Sequence, residues 1–410
     1  MNFLISVYLI MFFFGIFFVL IFLLIHFRNK KELSDFPKPI KFPTVSFLVP
    51  AYNEEKNLEN TVNCLLKVDY PKSKKEIIII NDGSKDNTLK VARRLEAKHK
   101  GQIKVIDKPN SGKANSLNIA IKHASGELIA VVDADSYPEK AALTRMVGYF
   151  DEKEVAAVTS RVLVKNKNNF LSRFQILDYS IIAWTRKLLD FVDSVYVTNG
   201  PLSLYRRNIV LKLGGFDPKN LTEDIEITWH ILSAGYKTRM SYSAIVYTIV
   251  PIKLNQWIKQ RVRWNLGGIQ TVKKYWRFMF NNPGNMFGSF VIPYVFSSFI
   301  LAIIGFLLFS RYLWIHIPYQ ALSIYYAFKG YEYFNYIEFN FFLTLLFLLT
   351  ILFFMLSILY YKQGFKNSQT GNKSILKILA YSMIYRSLYI LPLIIALYKL
   401  ARGDLNWYTK

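Results

Sequence analysis

Residues 3–25 read FLISVYLIMFFFGIFFVLIFLLI without a single charge. In helical form such a run reaches about 35 Å at ~1.5 Å per residue, more than the ~30 Å hydrocarbon core of a bilayer. The alternative, a signal peptide, needs a basic start and a small-residue cleavage site; no Lys or Arg precedes this run and no such site follows it. Arg28-Asn29-Lys30-Lys31 comes directly after. The positive-inside rule then places the N-terminus outside and the next segment in the cytoplasm. Residues 1–27 are therefore expected to form a transmembrane helix.

Three more apolar runs are expected to span, near 288–310, 339–361 and 378–398. The basic linker 362–375 reads as cytoplasmic, and the nearly neutral, tyrosine-rich 311–338 as an external loop, so the spans alternate consistently. Arg386 and Pro392 fall within the last span; an intramembrane Arg marks either a functional position or a side chain snorkelling from a tilted helix. At 52% hydrophobic and 20% charged over 410 residues, the chain is too apolar for an ordinary soluble protein and too charged for a bare helical bundle. The net charge of +24 suits cytoplasmic parts of a membrane protein. It would also suit nucleic acid, but no nucleic-acid-binding signature is present. The single cysteine, Cys64, excludes an internal disulfide and a cysteine-based zinc site. It shares a helical face with Leu58, Val62, Leu65 and Leu66 and reads as a buried core thiol.

Between about 44 and 250 the pattern changes. TVSFLVP (44–50), EIIIIND (76–82), IKVIDK (103–108) and ELIAVVDAD (127–135) read as strands, with helices near 54–67, 86–99 and 113–124. Continuous apolar strands separated by helices imply a mostly parallel sheet covered on both faces. Such sheets bind ligands at the carboxyl ends of their strands, where Asn53, Glu54, Asp82, Asp133 and Asp135 collect.

Four motifs carry chemistry. Asp82, before the Gly83 turn, can accept from a base N–H or a ribose hydroxyl; alone, an Asp-Gly-Ser turn is weak evidence. Asp133-Ala134-Asp135 ends an apolar strand, and its hard oxygens suit Mg²⁺ or Mn²⁺ bridging nucleotide phosphates. Thr222-Glu223-Asp224 opens a helix. Thr222 can cap it and the dipole favours both acids, so capping accounts for an isolated triplet of this kind; the chemical alternative makes Asp224 a general base that deprotonates a hydroxyl. Gln260-Arg261-Val262-Arg263-Trp264 lies in a stretch, Pro251–Asn281, with seven Lys/Arg and no acid. Arg263 can pair with a diphosphate and Trp264 can stack on a sugar. Lys259, Lys273, Lys274 and Arg277 read as contacts to anionic lipid.

In this order, the set Asp82, Asp133-Ala-Asp135, Thr222-Glu-Asp224, Gln260-Arg-Val-Arg263-Trp264 resembles the membrane-integrated family 2 glycosyltransferases, the processive synthases of cellulose, chitin, hyaluronan and poly-N-acetylglucosamine. The likeness is greatest to poly-N-acetylglucosamine synthases, through IIIINDGSKDNT, NSGKANSLN, TEDIEITW and KQRVRWNLGG; NGPLSLYRR (199–207) looks more like hyaluronan synthases. The chain departs from the pattern in VPIKL (250–254), which lacks a Glu after the Pro, and in having one span before the domain rather than two.

The resemblance implies an α/β GT-A fold inserted between transmembrane helices. Its parts would be a cytoplasmic domain at 28–250, interfacial helices at 251–285, three spans at 286–400 and a tail at 401–410. It implies a UDP-sugar donor, Mg²⁺ or Mn²⁺, inversion to a β-linked product, and a growing polysaccharide acceptor at the plasma membrane. Carried over, Asp224 would be the base, with Glu223 beside it. Ala51, Tyr52, Glu54, Asp82, Lys113, Asp133, Gln260, Arg263 and Trp264 would line the donor pocket, and Asp135 with Asp133 would hold the metal. Trp264, with Asp178, Tyr179 and Trp184 of the helix around 170–189, would meet the acceptor; for that helix, anchoring at the membrane interface is the competing reading. No cyclic-di-GMP-binding domain follows the last span, so such regulation calls for an accessory membrane subunit. Single-sugar transfer to a lipid carrier is the main alternative, against which the Gln260–Trp264 motif argues.

Overall fold

The computed structural model describes residues 3–167, 169–281, 286–328, 341–366, 368–369 and 374–404. Helix α1 (Phe3–Asn29) leads to an eight-stranded sheet with α2 (Leu58–Leu66), α3 (Thr88–Lys98) and α4 (Lys113–His123) between its first strands. Helices α5 (Phe170–Asp190), α6 (Glu223–Ser233) and α7 (Leu254–Tyr275) surround its second half. The long helices α8 (Ile292–Phe328) and α9 (Phe341–Phe365) follow, and then α10 (Ile375–Ala380) and α11 (Ile390–Ala401).

The strands are β1 (Val45–Ala51), β2 (Lys75–Asp82), β3 (Ile103–Lys108), β4 (Leu128–Val131), β5 (Ser136–Pro138), β6 (Val155–Val164), β7 (Ser203–Arg206) and β8 (Lys237–Thr248), in spatial order β3-β2-β1-β4-β7-β6-β8-β5. Four of the seven pairings are parallel: β1 with β2 and β4, β2 with β3, and β6 with β8. The run of four isoleucines in β2 has its explanation in two cores. Ile77 and Ile79 join Phe47, Val49, Val62 and Leu95 on one face, while Ile78 and Ile80 join Leu48, Leu117 and Ile121 on the other. A strand buried on both faces has no polar alternation to show. Strand β7 runs antiparallel between β4 and β6, with Val131 opposite Ser203, which brings the 198–203 segment against the end of β4.

Four helices among the described residues are long and apolar enough to cross a membrane: Ile5–Asn29, Phe287–Leu308, Phe347–Phe365 and Ile375–Ala401. Several expectations change. Residues 311–328, expected as loop, continue α8; a helix of this length, about 55 Å, is longer than a bilayer core is thick. Residues 329–340 of that loop lie outside the described residues. In the basic linker, helix α9 persists to Phe365, and Gln369 then pairs its amide with both backbone groups of Val164 (3.1 and 3.2 Å). Gln369 thus lies against the end of β6. Finally, α5 is largely buried within the protein. Asn169 and Ser172 cap it reciprocally, and it packs between β6, β8 and the spans, where Trp184 is buried and donates to His26 Nδ1 at 3.2 Å. Apolar residues ring this helix, so both sides find cover.

Cys64 is half-buried at the edge of α2 rather than in the core formed by Leu58, Val62 and Leu65. Burial pushes its thiol up, away from the reactive thiolate.

Candidate active site

The loops after β1 and β2 are stapled together. Asn53, held at φ 55°, donates its N–H to Ser84 Oγ (3.0 Å) and accepts from Lys85 N–H (2.8 Å); Glu54 N–H donates to Thr88 Oγ1 at 2.8 Å. Ala51 is buried at the end of β1 and Tyr52 is half-buried beyond it. At the end of β2, Gly83 turns with φ 67°, and a Cβ there would meet Asn110 N at 2.6 Å. Asp82 beside it is buried. Its Oδ1 accepts from Lys108 Nζ and from Ser111 N–H (2.9 Å), and its Oδ2 from Gly112 N–H (3.0 Å). A carboxylate offers about four acceptor positions, so one remains, on Oδ2. Asp82 therefore shapes the turn that delivers Lys113 at the start of α4.

Lys113 is the hub. Its Nζ lies 2.6 Å from Asp133 Oδ1 at the end of β4 and 2.8 Å from Glu223 Oε1 at the start of α6. Burial works against the ammonium, but Asp133 and Glu223, with Asp224 further off, outweigh it and hold the lysine above its usual value. Glu223 is itself disfavoured by burial, yet Lys113 and then Arg263 keep it below the usual carboxylate range. Asp224 goes the other way. Burial and the Glu223 charge push it up to about 6, against the pull of Lys113 and Arg263. Two adjacent acids thus differ in role through their surroundings: Glu223 as a fixed anion, Asp224 as a group able to take a proton near neutrality.

Thr222 stands at the N-cap position of α6 but makes no side-chain cap. Its N–H and Oγ1 both donate to Asn220 Oδ1 (2.9 and 3.2 Å). Thr222 also packs against Gly267 of α7. A Cβ there would fall 2.6 Å from Thr222 Cγ2 and closer still to Oγ1, so α7 sits directly on Thr222. This contact brings the Gln260–Trp264 segment to the Thr222–Asp224 turn, with Arg263 within electrostatic reach of both acids. Gly267→Ala should separate the helices, lowering stability by about 1–3 kcal/mol for the overpacked contact and cutting transfer; thermal denaturation and initial rates would check both.

The remaining expected residues divide. Gln260 Oε1 accepts from Arg261 Nη1 at 3.0 Å, and Arg261 lies 3.8 Å over the Trp264 ring. Tyr179 is hydrogen-bonded by Arg261 and has Asp135 within electrostatic reach. Asp178 does not face the cleft; it is fully buried and held by Arg261 and tyrosine hydroxyls of the last span. Lys274, expected at lipid, pairs instead with Asp217 (2.8 Å) and buried Glu226 (2.7 Å), tying α7 to α6.

Two residues next to the cluster escape a reading of the sequence. A Cβ on Gly200 would lie 2.7 Å from Asp133 Oδ2 and 2.9 Å from Lys113 Nζ. Asn199, buried, accepts from Arg186 Nη1 at 3.0 Å and from Thr159, while its Nδ2 finds no partner among the described residues. The Asn-Gly-Pro turn at 199–201 was their signal. Its closeness to Asp133 follows from the antiparallel β4–β7 pairing, which spacing does not announce.

Among the described residues no group of three or more His, Cys, Asp or Glu forms a metal site. Asp133 and Asp135, with Asp133 also bonded to Lys113, can supply one or two hard oxygen ligands. That suits a hard divalent cation whose shell is completed by phosphates and water.

The sequence pattern of the family described as "Glycosyltransferase like family 2" matches residues 43–267. A poly-beta-1,6-N-acetyl-D-glucosamine synthase of Staphylococcus epidermidis is 33% identical over 236 residues, which cover 57% of this chain and 56% of that protein. The synthase of the same name in Staphylococcus aureus (strain COL) is 34% identical over 227 residues, 55% and 54% of the two chains. The chain thus spans just over half the length of these curated relatives. A mannosyltransferase from Pyrobaculum calidifontis, solved with GDP-Man and Mn²⁺, shares the fold with a TM-score of 0.59 over 98% of this chain and 99% of that one, at 20% identity.

Proposed function

The chain belongs to glycosyltransferase-like family 2, and from that membership we propose an inverting β-glycosyltransferase that extends a polysaccharide processively from a UDP-sugar, N-acetylglucosamine first among donors, and exports it across the plasma membrane. The observation that carries this reading is the meeting of Lys113, Asp133, Glu223 and Asp224 at the strand ends, directly under the Gln260–Trp264 segment of α7. The similarity to the staphylococcal synthases favours N-acetylglucosamine.

Asp224 takes the proton of the acceptor hydroxyl as that oxygen attacks the anomeric carbon. The bond to the UDP oxygen breaks and its electron pair leaves on the diphosphate, so the product has inverted configuration. Lys113 and Arg263 present positive charge to that leaving group, which needs no general acid. Mg²⁺ or Mn²⁺, held by Asp135 and Asp133, would supply further charge neutralisation when bound. Asp82 and the Ala51–Glu54 loop bound the nucleotide end, and Trp264 the acceptor end.

Glucose or glucuronate donors, or a lipid-carrier acceptor, are the competing assignments. Initial rates with UDP-N-acetylglucosamine, UDP-glucose, UDP-glucuronate and GDP-mannose test the choice. A preference for UDP-N-acetylglucosamine of at least about tenfold in kcat/KM is expected; a higher rate with another donor would overturn the sugar assignment.

A further inference from the structure

One buried cluster has no part in the transfer chemistry above. Asp178, in the middle of α5, is 0% exposed. Its Oδ1 accepts from Tyr381 OH at 2.8 Å, and its Oδ2 from Arg261 Nη2 at 3.2 Å, from Tyr385 OH at 3.4 Å and from Tyr389 OH. Arg261 is equally buried. Its Nε donates to Tyr389 OH at 3.0 Å, its Nη1 to Gln260 Oε1 at 3.0 Å, and its guanidinium covers the Trp264 ring at 3.8 Å. Trp257, one turn earlier on α7, donates to Tyr385 OH at 2.9 Å.

The three tyrosines come from one strip of the last span at a spacing of four. In a regular α-helix each such step drifts by about 40° around the axis. Here Tyr381–Tyr385 form a π-turn, which takes fewer degrees per residue and offsets the drift; such turns are frequent at functional sites. A 3₁₀ turn over Ser387–Tyr389 follows, where Pro392 leaves the Leu388 carbonyl without its helical donor. The irregular backbone lets three hydroxyls reach one carboxylate. An ion pair so buried adds little stability compared with apolar packing, so stabilisation alone does not account for it.

We propose that Asp178 is a positioning residue. Through Arg261 it lets the last span fix Trp264, and so sets the acceptor end of the cleft separately from the donor end, which hangs on the sheet through Asp82, Lys113 and Asp133. This rests on the transferase reading given above. Arg261, the inner arginine of the Gln260–Trp264 motif, is then its strut rather than a ligand of the diphosphate.

The test uses the full chain in lipid nanodiscs with UDP-N-acetylglucosamine and an N-acetylglucosamine oligosaccharide as acceptor. Asp178→Asn should raise the acceptor KM about tenfold and shorten the product, while the donor KM stays within about twofold. Asp178→Glu should recover part of the acceptor affinity. Should Asp178→Asn fail to fold, Tyr381→Phe and Tyr389→Phe keep the ion pair and each remove one hydroxyl; these should raise the acceptor KM about threefold with the donor KM unmoved. Equal changes in both constants, a change in kcat alone, or no change would overturn the proposal while an active wild type leaves the enzyme reading intact. A wild type that extends no oligosaccharide from any UDP-sugar would overturn the enzyme reading, and this inference with it.

Discussion

Asp224→Asn should reduce transfer by about 1,000-fold, the range in which a positioned general base contributes, with the chain still folded. The amide has nearly the same shape, so the first turn of α6 is preserved: the Asp224 carbonyl still accepts from Thr228 Oγ1 (2.6 Å) and Thr198 Oγ1 (3.2 Å). The variant should be at least as stable as the wild type at neutral pH. A carboxyl whose folded-state value is raised holds its proton more tightly when folded, so its ionisation at pH 7 opposes folding; a neutral amide removes that opposition. The same shift fixes the acid limb of the rate profile. With Asp224 raised to about 6, the base is ionised above that pH, and the rate should fall about tenfold per unit below it. Asp224→Asn should leave no such limb in the residual rate.

Lys113→Met should be the second most damaging change. Lys113 lies between Asp133 and Glu223, 2.6 and 2.8 Å away, with Asp224 within reach. Removing one partner of a buried charge cluster leaves the others uncompensated, a loss of about 3–5 kcal/mol where burial is complete; the lysine side chain keeps 28% of its surface, so the lower end is expected. The catalytic effect has a distinct sign. Without the ammonium, Asp133, Glu223 and Asp224 repel one another and Asp224 rises further. The acid limb should therefore move to higher pH, and activity lost at pH 7 should return in part at pH 8 to 9. Rate profiles of the two proteins, with thermal denaturation alongside, would show it. An unchanged limb would mean that Lys113 does not face Asp224.

The positions of Asp82, Asp133 and Asp224 were legible because each ends or begins an element whose bounds show in the chain. Asp82 and Asp133 stop uninterrupted apolar runs, and Asp224 follows a Thr at a helix start. The spans were legible for the same reason, since charge-free runs of that length have few other homes. What stayed hidden depends on contacts made far along the chain. Asp178 lies in a helix whose apolar pattern suggested the membrane interface, and its tyrosine partners are 203 and 211 residues away. Gly200 and Asn199 come beside Asp133 because β7 runs antiparallel to both of its neighbours, β4 and β6. The helical extension of α8 to Phe328 stays hidden because a nearly neutral, tyrosine-rich segment reads as an external loop, whereas a helix can run on past an apolar stretch without ending.

The most direct measurement is the size of the product made by the detergent-purified chain from labelled UDP-N-acetylglucosamine with Mg²⁺ or Mn²⁺, run beside Asp224→Asn. High-molecular-weight material from the wild type, absent from the variant, is the predicted result. Single-sugar products, or long products that persist in Asp224→Asn, would contradict it.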